Sequence, residues 1–311
     1  MPHLHNWTAR PLPNGRMAVT RYLGKSPIAA VPPELDGRPV THVAAGCFSD
    51  WTPDHTDDEL TVLLPSTLLT VDPRAFDACP YLTEFAVEPE NPFFTAREGL
   101  LYDKAEQTLI RYPQGLGGWY IELPATVTDI GPRAFAGSAI RAFVPADDPT
   151  ALGQMGCWHP SGTRILHGGN LRSIGRLAFD NCRSLRLVGL RPALDRLDFG
   201  AFRGCSALYS LCLPEGIVRL EGQTFHGCGS LQSLCLPASL ARLERSDIDG
   251  CHALRQLFFR SPDTELSLEG FRPHRHLCIL APGGSAAAHY AADHSLPFQA
   301  LPAQPPAPVH P

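Results

Sequence analysis

Ten cysteines and 13 histidines are the residues of this 311-residue chain best suited to metal, redox or nucleophilic chemistry. A zinc ion wants four ligands in tetrahedral array, usually delivered by closely spaced pairs. Two stretches come nearest: Cys157-Trp158-His159 with His167, and the alternating His274, His276 and Cys278. Neither contains a CxxC or HxxxH pair, so no metal is expected at either. His42, His55, His167 and His226 could act as bases, but none stands at a recognisable spacing from a nucleophile. A GxSxG elbow and a Gly-rich phosphate loop are both missing. Asp57-Asp58-Glu59 reads as a solvated turn rather than a calcium site. The chain is therefore expected to be no enzyme and to need no cofactor.

The cysteines make sense once the chain is laid upon itself. Phe179, Phe202, Phe225, Ile248 and Phe271 recur every 23 residues. Five residues before each is an aliphatic: Ile174, Leu197, Leu220, Leu243, Leu266. Three after stand Cys182, Cys205, Cys228 and Cys251, then His274; six after stands a leucine each time, from Leu185 to Leu277. Four columns in one phase over five copies mark a repeat of stacked units. The phase continues upstream as Val43/Phe48, Val71/Phe76 and Ile130/Phe135, with Cys79 and Leu82 after Phe76. There the spacings between phenylalanines are 28, 59 and 44, and the excess over 23 marks insertions.

Each unit yields a short strand. In Leu208-Tyr209-Ser210-Leu211-Cys212-Leu213-Pro214 the leucines alternate with Cys212, as in a half-buried strand, and Pro214 ends the ladder. One unit cannot bury its own Leu and Phe; stacking aligns them into continuous columns. The fold class expected is an α/β-type leucine-rich-repeat solenoid, a right-handed coil of about eight turns. It should carry a parallel sheet along one face, with much strand and turn and few short helices. Cys79, Cys182, Cys205, Cys228 and Cys251 should be small buried thiols. Cys212 and Cys235 should instead face outward on neighbouring coils, with Phe258 next in their column and Tyr209 nearby, and Gln232 and Arg255 are counted with them. That strip is the expected partner-binding patch.

Residues 1–39 read as an N-terminal β cap, with strands over Met17 to Tyr22 and Ile28 to Val31, and 40–280 as the repeats. Two inserts interrupt them: 91–120, a β-hairpin projecting from the stack, and 146–169, a surface loop. Residues 281–301 read as a C-terminal cap with a helix over Ser285 to His294, and 302–311 as a disordered tail.

The columns resemble the BspA-like leucine-rich repeats of bacteria and some protists. Ile174-Gly175-Arg176-Leu177-Ala178-Phe179-Asp180-Asn181-Cys182-Arg183-Ser184-Leu185 follows that coil closely, and Ile130 to Phe135 follows it with Ser138 in place of the Cys. Asn91-Pro92, Gly99 to Lys104 and Leu109 to Pro113 are similar to the hairpin such proteins often carry, and Gly284-Ser285, Tyr290-Ala291 and Pro297-Phe298 to their cap. The resemblance implies a binding protein, often one at a cell surface.

Composition narrows the partners. Net charge is −5 with no basic run, so nucleic acid is not expected. No apolar stretch reaches the roughly 18 residues of a membrane span. Residues 1–16 lack the charged start and apolar middle of a signal peptide, so a cytoplasmic location is expected, with cell-surface or secreted delivery by a non-classical route as the alternative. The function expected is a non-enzymatic scaffold for a protein or glycan partner, acting through the sheet face and the hairpin. The alternatives are a self-associating structural module, including a homodimer, and a metal or hydrolytic protein using the 146–169 insert.

Overall fold

A computed structural model describes residues 6–49, 51–55, 58–116, 120–144, 165–167, 170–274 and 276–301. The chain winds into a β-solenoid of about 11 turns, more than the eight that the phenylalanine spacing suggested.

The 23-residue period becomes a stack because equivalent residues pair directly. Ser210–Cys212, Ser233–Leu236, Gln256–Phe259 and Cys278–Pro282 lie side by side and parallel, with Leu211, Leu234, Leu257 and Ile279 in one inward column. Phe298–Leu301 adds a last parallel strand to this outer ladder. At the other end Ile28–Ala30, Leu60–Leu64 and Leu82–Val87 form the same kind of ladder.

The expected sheet has a counterpart on the turn side. Thr108–Arg111, Asp129–Ile130, Ser173–Ile174 and Arg196–Leu197 pair in parallel, as do Arg242–Glu244 and Glu265–Ser267. Ile130, Ile174, Leu197, Leu243 and Leu266, each five residues before the Phe position of its coil, lie in these ladders. Each coil is thus clamped at two places, and the leucines and phenylalanines fill the space between.

Down that space the aromatic rings stack. Phe135, Phe179, Phe202 and Phe225 follow one another at centroid separations of 4.8, 5.2 and 5.9 Å, their planes nearly parallel. The turns carrying them are tied by backbone bonds of one kind: Phe179 N–H donates to Ala201 O, Phe202 to Thr224 O, and Phe225 to Asp247 O. The interior cysteines close a further gap. Sγ of Cys182, Cys205, Cys228 and Cys251 donates to the carbonyls of Phe135, Phe179, Phe202 and Phe225 at 3.0–3.2 Å. A backbone reversal before each Cys needs a left-handed residue, and Asn181, Gly204, Gly227 and Gly250 supply it with φ of 56°, 69°, 74° and 81°.

The first insert departs from expectation. Leu100–Asp103 pairs antiparallel with both Phe94–Arg97 and Thr108–Arg111, so the hairpin exists. It does not stand off the stack, because Thr108–Arg111 continues the turn-side ladder into Asp129–Ile130. Leu100, Leu101, Tyr102 and Leu109 are buried. Leu101 faces the core of the first coils and Leu100, Tyr102 and Leu109 face that of the later ones. An apolar two-sided strand is unstable on a surface, so it is drawn into the stack as a wall between two cores.

Of the second insert only Ile165–His167 are described, and they form a strand where a loop was expected. It lies between Tyr120–Glu122 and Ala142–Val144, parallel to both, out of sequence order. Cys157, Trp158 and His159 lie outside the described residues, as do Asp57 and the 302–311 tail. At the ends, Trp7, Tyr22 and Phe48 cluster over the first coils, and the helix Ala286–Asp293, with Ser285 Oγ accepting from Ala288 N–H, packs at the last.

Candidate partner-binding face

The outer ladder sets its side chains on a lattice. Rungs lie about 4.8 Å apart and alternate residues point outward. Cys212, Cys235, Phe258 and Leu280 occupy one outward column, paired rung to rung. Tyr209, Gln232 and Arg255 form the adjacent one, since Gln232 N–H donates to Tyr209 O and Arg255 N–H to Gln232 O, both at 2.8 Å. Ser210, Ser233 and Gln256 lie between them. All six residues singled out from the sequence therefore fall on one face.

Their exposure differs. Tyr209 is 56% exposed, Arg255 and Cys212 are exposed, and Gln232 and Phe258 are half-buried. Cys235 was expected to face solvent as Cys212 does, yet only 8% of it is accessible. It lies between Cys212 and Phe258 in its column, with the Arg260 cation nearby. Arg260 is the residue of this face that sequence reasoning missed. It continues the alternation of Gln256 and Phe258, but in the position that Pro214 and Pro237 hold in the earlier coils, where proline marks the end of the strand. Its Nη1 pairs with Glu215 Oε1 at 2.9 Å, and Glu215 Oε2 accepts from Ala238 N–H at 2.7 Å.

The two thiols of the face have opposite acidities. The neighbouring Cys235 thiol lowers the Cys212 pKa to about 6; burial opposes this, and Arg260 adds to it. The Cys212 neighbour and its own burial push Cys235 upward. The interior thiols behave otherwise: burial raises Cys79 to about 11 and Cys47 and Cys251 to about 12.

The metal site considered at Cys157, Trp158 and His159 lies outside the described residues. Among the described residues no three His, Cys, Asp or Glu side chains converge as metal ligands. The rings of His274 and His276 lie 5.2 Å apart. His42 Nδ1 hydrogen-bonds with the hydroxyl of its neighbour Thr41 at 2.7 Å, and burial, with Arg16 and Arg10, lowers its pKa. Among the described residues no helix is long and apolar enough to cross a membrane.

Comparison with known proteins places this architecture. Residues 161–277 match the family model for the BspA type leucine rich repeat region, in six copies. Residues 161–277 are thus a BspA-type leucine-rich-repeat region. Its coils are similar to those of the pneumococcal vaccine antigen PcpA, with 17% identity, a TM-score of 0.64, and coverage of 86% of this chain and 61% of that one. The leucine-rich-repeat chain thus spans about three fifths of that structure's length. A leucine-rich repeat protein from Eubacterium ventriosum is similar at 13% identity and a TM-score of 0.50, covering 80% of this chain and 88% of its own. At these identities the likeness is one of fold. No curated protein matches the sequence. Leucine-rich-repeat proteins of this kind are typically non-enzymatic binding modules, and the repeat suggests a scaffold for protein–protein interaction.

Proposed function

We propose that the chain binds a protein partner through the outer ladder of its C-terminal coils, with Tyr209, Cys212, Gln232, Cys235, Arg255 and Phe258 at the contact. The observation that carries this reading is the exposed ring of Tyr209, held on a rigid lattice beside a half-buried Phe258 and an exposed Arg255. Tyrosine and arginine supply much of the energy in protein interfaces, and a preformed surface loses little entropy on binding. A glycan is the second occupant of this reading, since stacking on Tyr209 and hydrogen bonds from Gln232 and Arg255 suit one too. The 91–120 hairpin contributes less, because its apolar residues Leu100, Leu101 and Tyr102 are buried in the stack.

Location belongs to the same reading. The buried thiols of Cys182, Cys205, Cys228 and Cys251, donating to backbone carbonyls, suit the reducing cytoplasm; a cell-surface or secreted site reached by a non-classical route is the alternative, and cell fractionation separates the two. The deciding experiment captures partners on the wild-type chain and on the Tyr209→Ala/Phe258→Ala variant, then measures the affinity of the captured protein for each. We expect the variant to bind at least about 30-fold more weakly, as for loss of two contact residues. Equal affinity sinks the reading. Light scattering that finds a stable dimer, lost in the same variant, replaces the partner by a second copy of the chain.

A further inference from the structure

The chain holds two kinds of cysteine, and the outer pair is the unusual one. Interior thiols are buried and donate to carbonyls of the preceding coil. Cys212 and Cys235 instead sit directly opposite one another on adjacent parallel rungs. Rungs at about 4.8 Å lie inside the Cα separation of roughly 4.4–6.8 Å that a disulfide spans. One thiol is exposed and the other is covered. Arg260, anchored by Glu215, supplies a nearby cation that acts on both thiols. An exposed thiolate beside a cation, with a second thiol within reach, is the arrangement of oxidation-sensitive dithiols.

We propose that Cys212 and Cys235 are a redox site that a hydroperoxide converts to a disulfide, with Cys212 the attacking thiolate and Cys235 the resolving thiol. In the first step Cys212 Sγ attacks the peroxide. An S–O bond forms, the O–O bond breaks, and the departing alkoxide or hydroxide takes a proton to leave as alcohol or water. Cys212 is then a sulfenic acid, oxidised by two electrons. In the second step Cys235 Sγ attacks that sulfur. The S–S bond forms, the S–O bond breaks, and the departing hydroxide takes the Cys235 proton to leave as water. A small dithiol reverses the change. The cycle is a modification of the outer face and stands whether or not that face binds a partner. The acidity of Cys212 supports it, because its lowered pKa leaves more of the sulfur as thiolate at neutral pH than in an ordinary cysteine.

The test oxidises the reduced full chain with one equivalent of hydrogen peroxide, blocks remaining thiols with N-ethylmaleimide, and maps the peptides. We expect a single intramolecular Cys212–Cys235 bridge, two fewer alkylated thiols than in the reduced chain, and full recovery with dithiothreitol. Cys212→Ser should abolish the bridge, while Cys235→Ser should leave a Cys212 sulfenic acid that dimedone traps. Arg260→Gln should slow bridge formation about tenfold, since it removes the cation that favours the thiolate. Circular dichroism checks that each variant is folded. The proposal is overturned if the wild-type pair stays fully alkylatable after oxidation. It is equally overturned if the bridge joins Cys212 to another chain or to any other cysteine.

Discussion

From Ile174 to Cys251 the core is built by repetition, whereas from Phe76 to Phe135 the same demands are met by residues that never recur. In the regular block each Phe carbonyl takes a thiol from the next coil, and each ring lies on the one before. The hairpin region has no cysteine to offer the Phe76 carbonyl. Arg111 serves instead: Nη2 donates to Phe76 O at 3.0 Å and to Ala136 O at 3.4 Å, and Nη1 to Arg133 O at 2.7 Å. Its side chain is 2% exposed, and burial lowers its pKa to about 10 while Asp77, 3.6 Å away, opposes that. Tyr112 takes the place of the phenylalanine. Its ring lies 5.2 Å from Phe135, and its N–H donates to Ala134 O just as Phe135 N–H does to Ala178 O. A solenoid thus needs a donor and a ring in each coil, without needing a fixed residue to provide them.

The comparison breaks most readily at its strongest points. Removing the ring in Phe202→Ala should cost about 3–5 kcal/mol, because a stacked interior position leaves a cavity that neighbours on both sides fill poorly. Urea denaturation measures it, and a loss under about 1 kcal/mol would mean that the aromatic line does not carry the block. Next comes Arg111→Met, which strips Phe76 O of its donor, takes one of two donors from the carbonyls of Arg133 and Ala136, and leaves Asp77 without that cation. We expect a loss of about 2–4 kcal/mol. A neutral result would show that water or a shifted turn serves those carbonyls instead. Tracking the C-terminal coils in the same variant sharpens the point, since coils in a stack are coupled mainly to their neighbours.

Smaller effects test the turns. Gly204 occupies a left-handed position with φ of 69°, and its added methyl would meet Asn181 Oδ1. Gly204→Ala should cost about 1–2 kcal/mol. Asn181 shows that the position tolerates a side chain at a price, so Asn181→Gly should be neutral or slightly stabilising in the same assay.

The smallest effect concerns the last exception in the block, where the short helix Arg245–Ile248 replaces the Ala-Phe turn. Asp247 lies buried there and accepts from Thr224 N–H and Oγ1 at 3.4 and 3.2 Å. Burial raises its pKa despite those bonds. The native state therefore holds its proton to higher pH than the unfolded chain does, and stability falls as pH rises from the ordinary carboxylate range through the raised value. Asp247→Asn should remove that fall while keeping the acceptor. Denaturation midpoints across acid pH check this, and an unchanged slope would contradict it.

Legibility followed the period. Phe179, Cys182, Leu185 and their 23-step copies stand in the sequence as columns, because equal spacing makes equal positions in a stack. The outward strip from Tyr209 to Phe258 was readable for the same reason. Tyr112 was there to be found, 23 residues before Phe135, but its ring type hid it. Arg111 carried no signal at all, since an arginine is ordinarily a surface residue and only its surroundings made it an interior donor.

The sequence by itself determined the repeat, the identity of the interior columns and which residues share the outer face, because those follow from periodicity along the chain. Only the tertiary structure decided that the hairpin is a wall inside the stack, that Ile165–His167 slots between two earlier strands, and that Cys235 is covered while Cys212 is open. Those outcomes depend on which backbone edges and carbonyls lie unpaired once the coils are assembled. Residues distant along the chain compete to satisfy them, and spacing alone does not record the winner.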